Sequence, residues 1–323
     1  MTEDQPTTPI PPESRSSPIA KTQSTNWLIG ENGLRSGWRL LIYVLIVAIS
    51  SALISFGIHF VHKASGQKAP LGPPSALQLL EQEILGFAVV FGAALIMSRV
   101  ERRPLGEYGL PANGLLGSKF WLGFVFGIVE ICLLIGLISI FGGYSFGSLA
   151  LQGSDIIRWG AFHLLLFFFV GLFEEFLFRG YSQHTLAKGI GFWPAALLLS
   201  IGFGAVHLFN PGEGVVGGAS VVLVALLFCF SLRRTGSLWY AVGLHASFDW
   251  GETYLFSVPN SGLVMQGHLS NSLLHGPKWL TGGTIGPEGS VFCFLTMGLQ
   301  FLVVALLFPA KKENSATSDL VVS

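Results

Sequence analysis

The chain has 323 residues, 51% of them hydrophobic and only 11% charged, with a mean hydropathy of +0.61. It is too apolar for a water-soluble domain and does not have the charge of a disordered one. Formal net charge is zero and no basic run interleaves with aromatics, so nucleic acid is excluded as a partner.

The first 37 residues are rich in Pro, Ser and Thr and carry no apolar stretch before Trp38. They read as a disordered cytoplasmic tail, not a signal peptide. Apolar stretches long enough for bilayer spans follow near 38–60, 76–98, 119–142, 157–187, 192–209, 214–232, 236–256 and 290–308. The expected fold is all-α: a polytopic integral membrane helical bundle of about eight transmembrane helices over 38–309. Residues 310–323 form a second polar cytoplasmic tail. Cys132, Cys229 and Cys293 fall singly in predicted helices without metal-ligand spacing, and read as small packing residues.

Charge placement orients the bundle. With eight spans and the N-terminus inside, 14 of the 18 Lys and Arg residues fall on the cytoplasmic side. Lys63, Lys68, Arg158 and Lys278 fall on the other. Both termini are therefore expected in the cytoplasm, in the plasma membrane, with the long Gly/Ser/Pro/Asn-rich connection 257–289 outside. A connection of that length without periodicity is usually functional or disordered.

Ionisable side chains within spans are costly, roughly 2.5–3.5 kcal/mol each on insertion scales, and mark chemistry by default. Four stand out: Glu174, Glu175, His207 and His245. Glu174 and Glu175 are neighbours, about 100° apart on a helix, so they cannot both face one site. Arg179 lies four residues after Glu175, on the same face. This spacing assigns Glu175 and Arg179 a structural ion pair and turns Glu174 toward a polar cavity. Glu174 and His207 stand nearly equidistant from the turn bracketed by Gly189 and Gly191. In a straight hairpin, at ~1.5 Å per residue, they share a depth in the membrane. His245 and Asp249 are again four apart, with Glu252 three further on, and all three are expected on one face. Isolated membrane histidines such as His59 and His163 read as packing residues.

Two mechanisms use this set. In one, Glu174, aided by His207, activates a water that attacks a peptide carbonyl, while His245 and its neighbour stabilise the oxyanion. In the other, His207, His245 and a carboxylate, Asp249, hold Zn²⁺, and Glu174 is the base or a further ligand. The compact zinc signature H-E-x-x-H is absent. The first reading needs no cofactor; zinc belongs to the alternative.

The ordered motifs Glu174-Glu175-x-x-x-Arg179, Phe203-x-x-x-His207 and His245-x-x-x-Asp249 resemble those of the CPBP family of intramembrane proteases. This is the CAAX-protease and bacteriocin-processing group that includes the type II CAAX prenyl endopeptidase. The resemblance covers roughly 155–256, with weaker similarity around Gly33–Tyr43. It implies an intramembrane endopeptidase acting on a membrane-associated peptide or protein substrate within the lipid bilayer. Glu174 and His207 would activate water, and His245 with Asp249 would form the oxyanion side. The CAAX enzymes carry Asn where Asp249 stands. An ionised Asp has no donor to offer an oxyanion, so Asp249 would be protonated, act through His245, or bind a metal.

Three rivals use the same residues differently. A catalytically silent scaffold or immunity-type protein would keep only the fold, and a proton-coupled transporter would use Glu130, mid-span in the third helix, as a relay. A rhomboid-like serine protease would pair Ser220 with His245, but Val221 stands where a glycine is expected.

Overall fold

The computed structural model describes residues 27–30, 33–66, 74–210, 212 and 214–310. Most of both predicted tails, 1–26 and 311–323, lies outside these residues. The chain divides into two units, residues 1–35 and 36–323. In the first, strands β1 (Ile29–Gly30) and β2 (Gly33–Leu34) pair antiparallel, and Arg35 N–H donates to Leu28 O at 3.0 Å.

The second unit is an all-α membrane bundle. In chain order it contains α1 (Ser36–Ala64), α2 (Ala76–Glu101), α3 (Ser118–Ile140) and strand β3 (Tyr144–Ser145). Next come α4 (Ser154–Glu175), a π-helical segment Phe176–Ser182, α5 (Gln183–Ile190), α6 (Phe192–His207) and α7 (Val215–Thr235). The last are α8 (Trp239–Trp250), a second π segment Gly251–Leu255, β4 (Leu273–Leu274), α9 (Lys278–Thr281) and α10 (Val291–Leu307). Every predicted span coincides with a helix or helix pair. Five stretches are long and apolar enough to cross a bilayer: Ser36–Ala64, Ala76–Glu101, Ser118–Ile140, Ser154–Ile190 and Val215–Thr235. α6 and α10 are apolar but shorter, at 16 and 17 residues. α1 shows why no aqueous surface is intended, since Leu45, Ile49, Leu53 and Phe56 all lie outside the bundle.

Basic residues gather at one end. Lys119 Nζ donates to Thr235 O at 2.8 Å, Arg234 Nη1 donates to Phe308 O at 3.3 Å, and Arg233 stacks over Phe192 at 5.4 Å. The starts of α3 and α6 therefore meet the ends of α7 and α10. At the other end, β3 pairs with β4, and Tyr144 donates to Phe256 O at 3.0 Å. The long connection 257–289 folds there into β4, α9, a 3₁₀ turn at Pro287–Gly289 and a tight Asn260–Leu263 bridge.

Helix α8 carries His245 and is clamped on two sides. A Cβ on Gly243 would lie 2.1 Å from Phe120 O, and one on Gly123 would lie 2.1 Å from Tyr240 O. Only glycine lets α3 and α8 approach this closely, the small-residue packing that joins helices where lipid offers no hydrophobic drive. On the other side α4 packs against α8, held by Trp250 Nε1–H donating to Gly160 O at 2.9 Å and Tyr254 O–H donating to Ile156 O at 2.5 Å.

Candidate active site

The two helices that carry the motifs do not run straight. α4 stops at Glu175, and the following turn widens to π geometry with Gly180 off the helical path at φ −79°, ψ −114°. α8 stops one residue after Asp249 and widens in the same way. The spans expected at 157–187 and 236–256 are thus each interrupted. The breaks matter because a π turn inserts extra chain and rotates everything beyond it, and such turns recur at functional sites.

Between the helices lies a cavity of about 320 Å³. Glu174, Phe203, His207, His245 and Asp249 all line it. Three separate motifs thus converge on one cavity. It runs on to Asn260, Ser261 and Glu288, contributed by the 257–289 connection.

Glu175 points the other way and is fully buried. Its Oε1 accepts from Arg179 Nη1 at 3.2 Å and lies 3.3 Å from His245 Nδ1. Arg179, 1% exposed, does not snorkel to an interface; its guanidinium lies 4.3 Å from the centre of the Phe203 ring. A buried arginine needs both its carboxylate and such aromatic faces to offset lost hydration. The other His245 nitrogen, Nε2, lies 3.4 Å from Asp249 Oδ2 and 3.8 Å from Glu174 Oε2. A nitrogen between two carboxylates holds a proton there, on the imidazole or on one of the acids. Proton exchange between Glu174 and His245 therefore needs little movement.

His207 closes α6. Its Nδ1 is 2.9 Å from Phe203 O. A carbonyl only accepts, so Nδ1 carries a proton in this contact. The Phe203 ring packs 4.4 Å from His207 and also faces Arg179. One aromatic thus carries the middle motif and ties it to the first. Glu174 and His207, expected at one depth, share the cavity, and His245 Nε2 also approaches Glu174 Oε2 to 3.8 Å.

Glu252 falls in the π segment, is fully buried and does not line the cavity, yet its carboxylate stays within 4.8 Å of Asp249's. The donor set also bears on zinc. Among the described residues, one group of three acids or histidines brings its ligand atoms within 4.8 Å of one another: Asp249, Glu252 and Glu288. His207 and His245 do not belong to it, so the nitrogen donors of the zinc alternative do not fit a single ion in this arrangement.

Several residues escaped the sequence reading. Glu83, on α2, lines the cavity and interacts electrostatically with Glu174 and His245. Its signal was available: a carboxylate within a predicted span. Phe228 stacks on His245 at 5.3 Å and 17°, and fixes the ring plane, but one Phe among 27 carries no motif. Glu288 lies in the connection and accepts from Ser261 N–H at 3.0 Å. Ser220 lines the cavity, yet its hydroxyl donates to Gly217 O at 2.7 Å on its own helix, and all the ionic contacts of His245 are to carboxylates. The serine-protease rival gains nothing from this geometry.

Fold and site together define a class: polytopic membrane proteins that gather carboxylates and imidazoles around a shared cavity. Residues 157–251 match the family model described as type II CAAX prenyl endopeptidase Rce1-like, and the match contains all seven motif residues from Glu174 to Asp249. In this segment the chain is similar to the CAAX-protease (CPBP) family. No curated protein and no solved structure matches the chain.

Proposed function

We propose that this protein is a CAAX-type intramembrane endopeptidase that hydrolyses a peptide bond with water activated by Glu174 and His207. The observation that carries the reading is the shared cavity, where Glu174, His207, His245 and Asp249 meet from three helices. A water there gives a proton to Glu174, aided by His207, and its oxygen attacks the carbonyl carbon. His245 stabilises the oxyanion, after which the C–N bond breaks and the proton passes to the leaving amine. Asp249 acts through His245, which the 3.4 Å contact supports. Glu175 and Arg179 hold the arrangement from below. No metal is required in this scheme. Both termini lie in the cytoplasm, and the substrate is a membrane-associated peptide or protein.

The test uses protein in liposomes, membrane polypeptides as substrate and heavy-oxygen water. New C-termini that carry one heavy oxygen, made by wild type and not by Glu174→Gln, are the expected result. Termini that form equally with both proteins overturn it.

One observation favours a second reading. Glu130 lines the same cavity from α3, as a proton relay in a transporter would. Proton flux that depends on Glu130, with no cleavage, would select it.

A further inference from the structure

A second cavity, of about 520 Å³, lies at the basic end of the bundle and shares no lining residue with the first. It forms where the π segment Phe176–Ser182 and α5 meet the start of α6 and the end of α7. Three cations line it: Arg179, which is 1% exposed, and the exposed Lys188 and Arg233. The one acid in the lining, Glu107, is already held by Arg103 Nη1 at 3.4 Å. Arg179 gives Nη1 to Glu175, while its Nε and Nη2 have no hydrogen-bond partner. Among the described residues, neither Lys188 nor Arg233 forms a salt bridge. Arg103 and Arg39 act on the Lys188 ammonium more strongly than Glu107 and Glu101 do. An anion that enters between Lys188 and Arg233 therefore meets a positive field.

The neighbouring surface points to a lipid as the source of that anion. Phe192, in the cavity wall, packs against Trp193 at 5.2 Å, and Arg233 lies over the Phe192 ring at 5.4 Å. Ile190, Trp193 and Leu197 turn apolar surface away from the bundle beside this wall. Trp rings favour the depth at which headgroups meet acyl chains. Basic pockets between membrane helices at the cytoplasmic end are the form that anionic headgroup sites take.

We propose that this cavity binds the phosphate of an anionic phospholipid between Lys188 and Arg233, with the acyl chains along Ile190, Trp193 and Leu197. The buried charge of Arg179 adds to the attraction from the lining. A headgroup here thus also compensates the arginine that braces Glu175. The site is separate from the hydrolytic cavity, and its test does not depend on cleavage.

The experiment uses purified, delipidated full-length protein in detergent, titrated with lipid and followed by native mass spectrometry. The probes are phosphatidylglycerol, phosphatidylcholine and glycerol phosphate, which is the first headgroup without acyl chains. Phosphatidylglycerol is expected to bind most tightly, and its affinity should fall as salt is added. Phosphatidylcholine carries its own cation, which the basic lining opposes, and should bind more weakly. Glycerol phosphate should bind about ten-fold or more weaker than phosphatidylglycerol, because it buries no apolar surface. Lys188→Gln and Arg233→Gln should each weaken phosphatidylglycerol about five-fold, the effect of one cation at an anionic lipid surface. Arg99→Gln removes an exposed charge at the end of α2, outside the cavity, and should leave the affinity unchanged. Thermal unfolding without lipid identifies any variant that fails to fold, and the other single variant then carries the test.

Equal affinity for the two phospholipids overturns the proposal. Equal weakening by all three variants also overturns it, since a general surface field would then attract the lipid. Glycerol phosphate that binds as tightly as phosphatidylglycerol would assign the cavity to a soluble phosphate and overturn the lipid assignment.

Discussion

Glu175 and His245 meet at 3.3 Å, Oε1 to Nδ1, where α4 packs on α8. The same oxygen receives Arg179, so one buried carboxylate fixes both the first motif and the imidazole of the third. The paired glutamates therefore divide their work: Glu175 builds the site from behind, and Glu174 faces its contents.

That division predicts different failures. Glu175→Gln removes the charge that compensates Arg179, and breaking a buried pair costs about 3–5 kcal/mol. Folded yield and thermal stability in detergent should drop. Glu174→Gln should fold normally and lose roughly a hundred-fold or more in turnover, as expected when a positioned proton acceptor is removed. Equal yield and equal loss of activity in both variants would contradict the division.

Asp249 distinguishes metal-free chemistry from zinc. In the metal-free scheme Asp249→Asn keeps a side chain at His245 and adds an N–H donor, so activity should be retained, and chelators should have no effect. A dead Asp249→Asn variant, with stoichiometric zinc in the purified protein and activity lost to chelation, would contradict the scheme.

Packing sets the position of His245. Gly243→Ala would force a methyl to 2.1 Å from Phe120 O, a backbone atom that cannot step aside. Overpacking typically costs about 1–3 kcal/mol, and this site should reach or exceed the upper end. Gly136→Ala, on the same α3 helix with nothing within 4 Å, is the control and should be silent. Thermal unfolding of the two variants in detergent checks the contrast.

Topology is tested at Lys278, exposed in the connection 257–289. In a Cys132→Ala background, Lys278→Cys should react with a membrane-impermeant maleimide in intact cells. Reaction only after the cytoplasm is opened would reverse the orientation.

Much of this was legible in the sequence, for identifiable reasons. Apolar length alone marked the helices, because a bilayer demands it. The four-residue spacing marked the Glu175–Arg179 and His245–Asp249 pairs, both observed in contact. The π turns were not legible, since Gly180 and Gly251 look like ordinary small residues in apolar helices. Nor was the 3.8 Å approach of His245 to Glu174 legible, since it comes from the packing of α4 on α8. Glu83 and Glu288 belong to no motif and join the site only through the packing of α2 and the folded connection.

The central claim, that Glu174 turns this cavity into a hydrolytic site, is tested most directly in cells. Membrane proteins would be compared by terminal peptide mapping in a deletion strain complemented with wild type or with Glu174→Gln at matched levels. The account predicts internal cleavage termini present with wild type and missing with Glu174→Gln. Identical sets of termini in the two strains would contradict it.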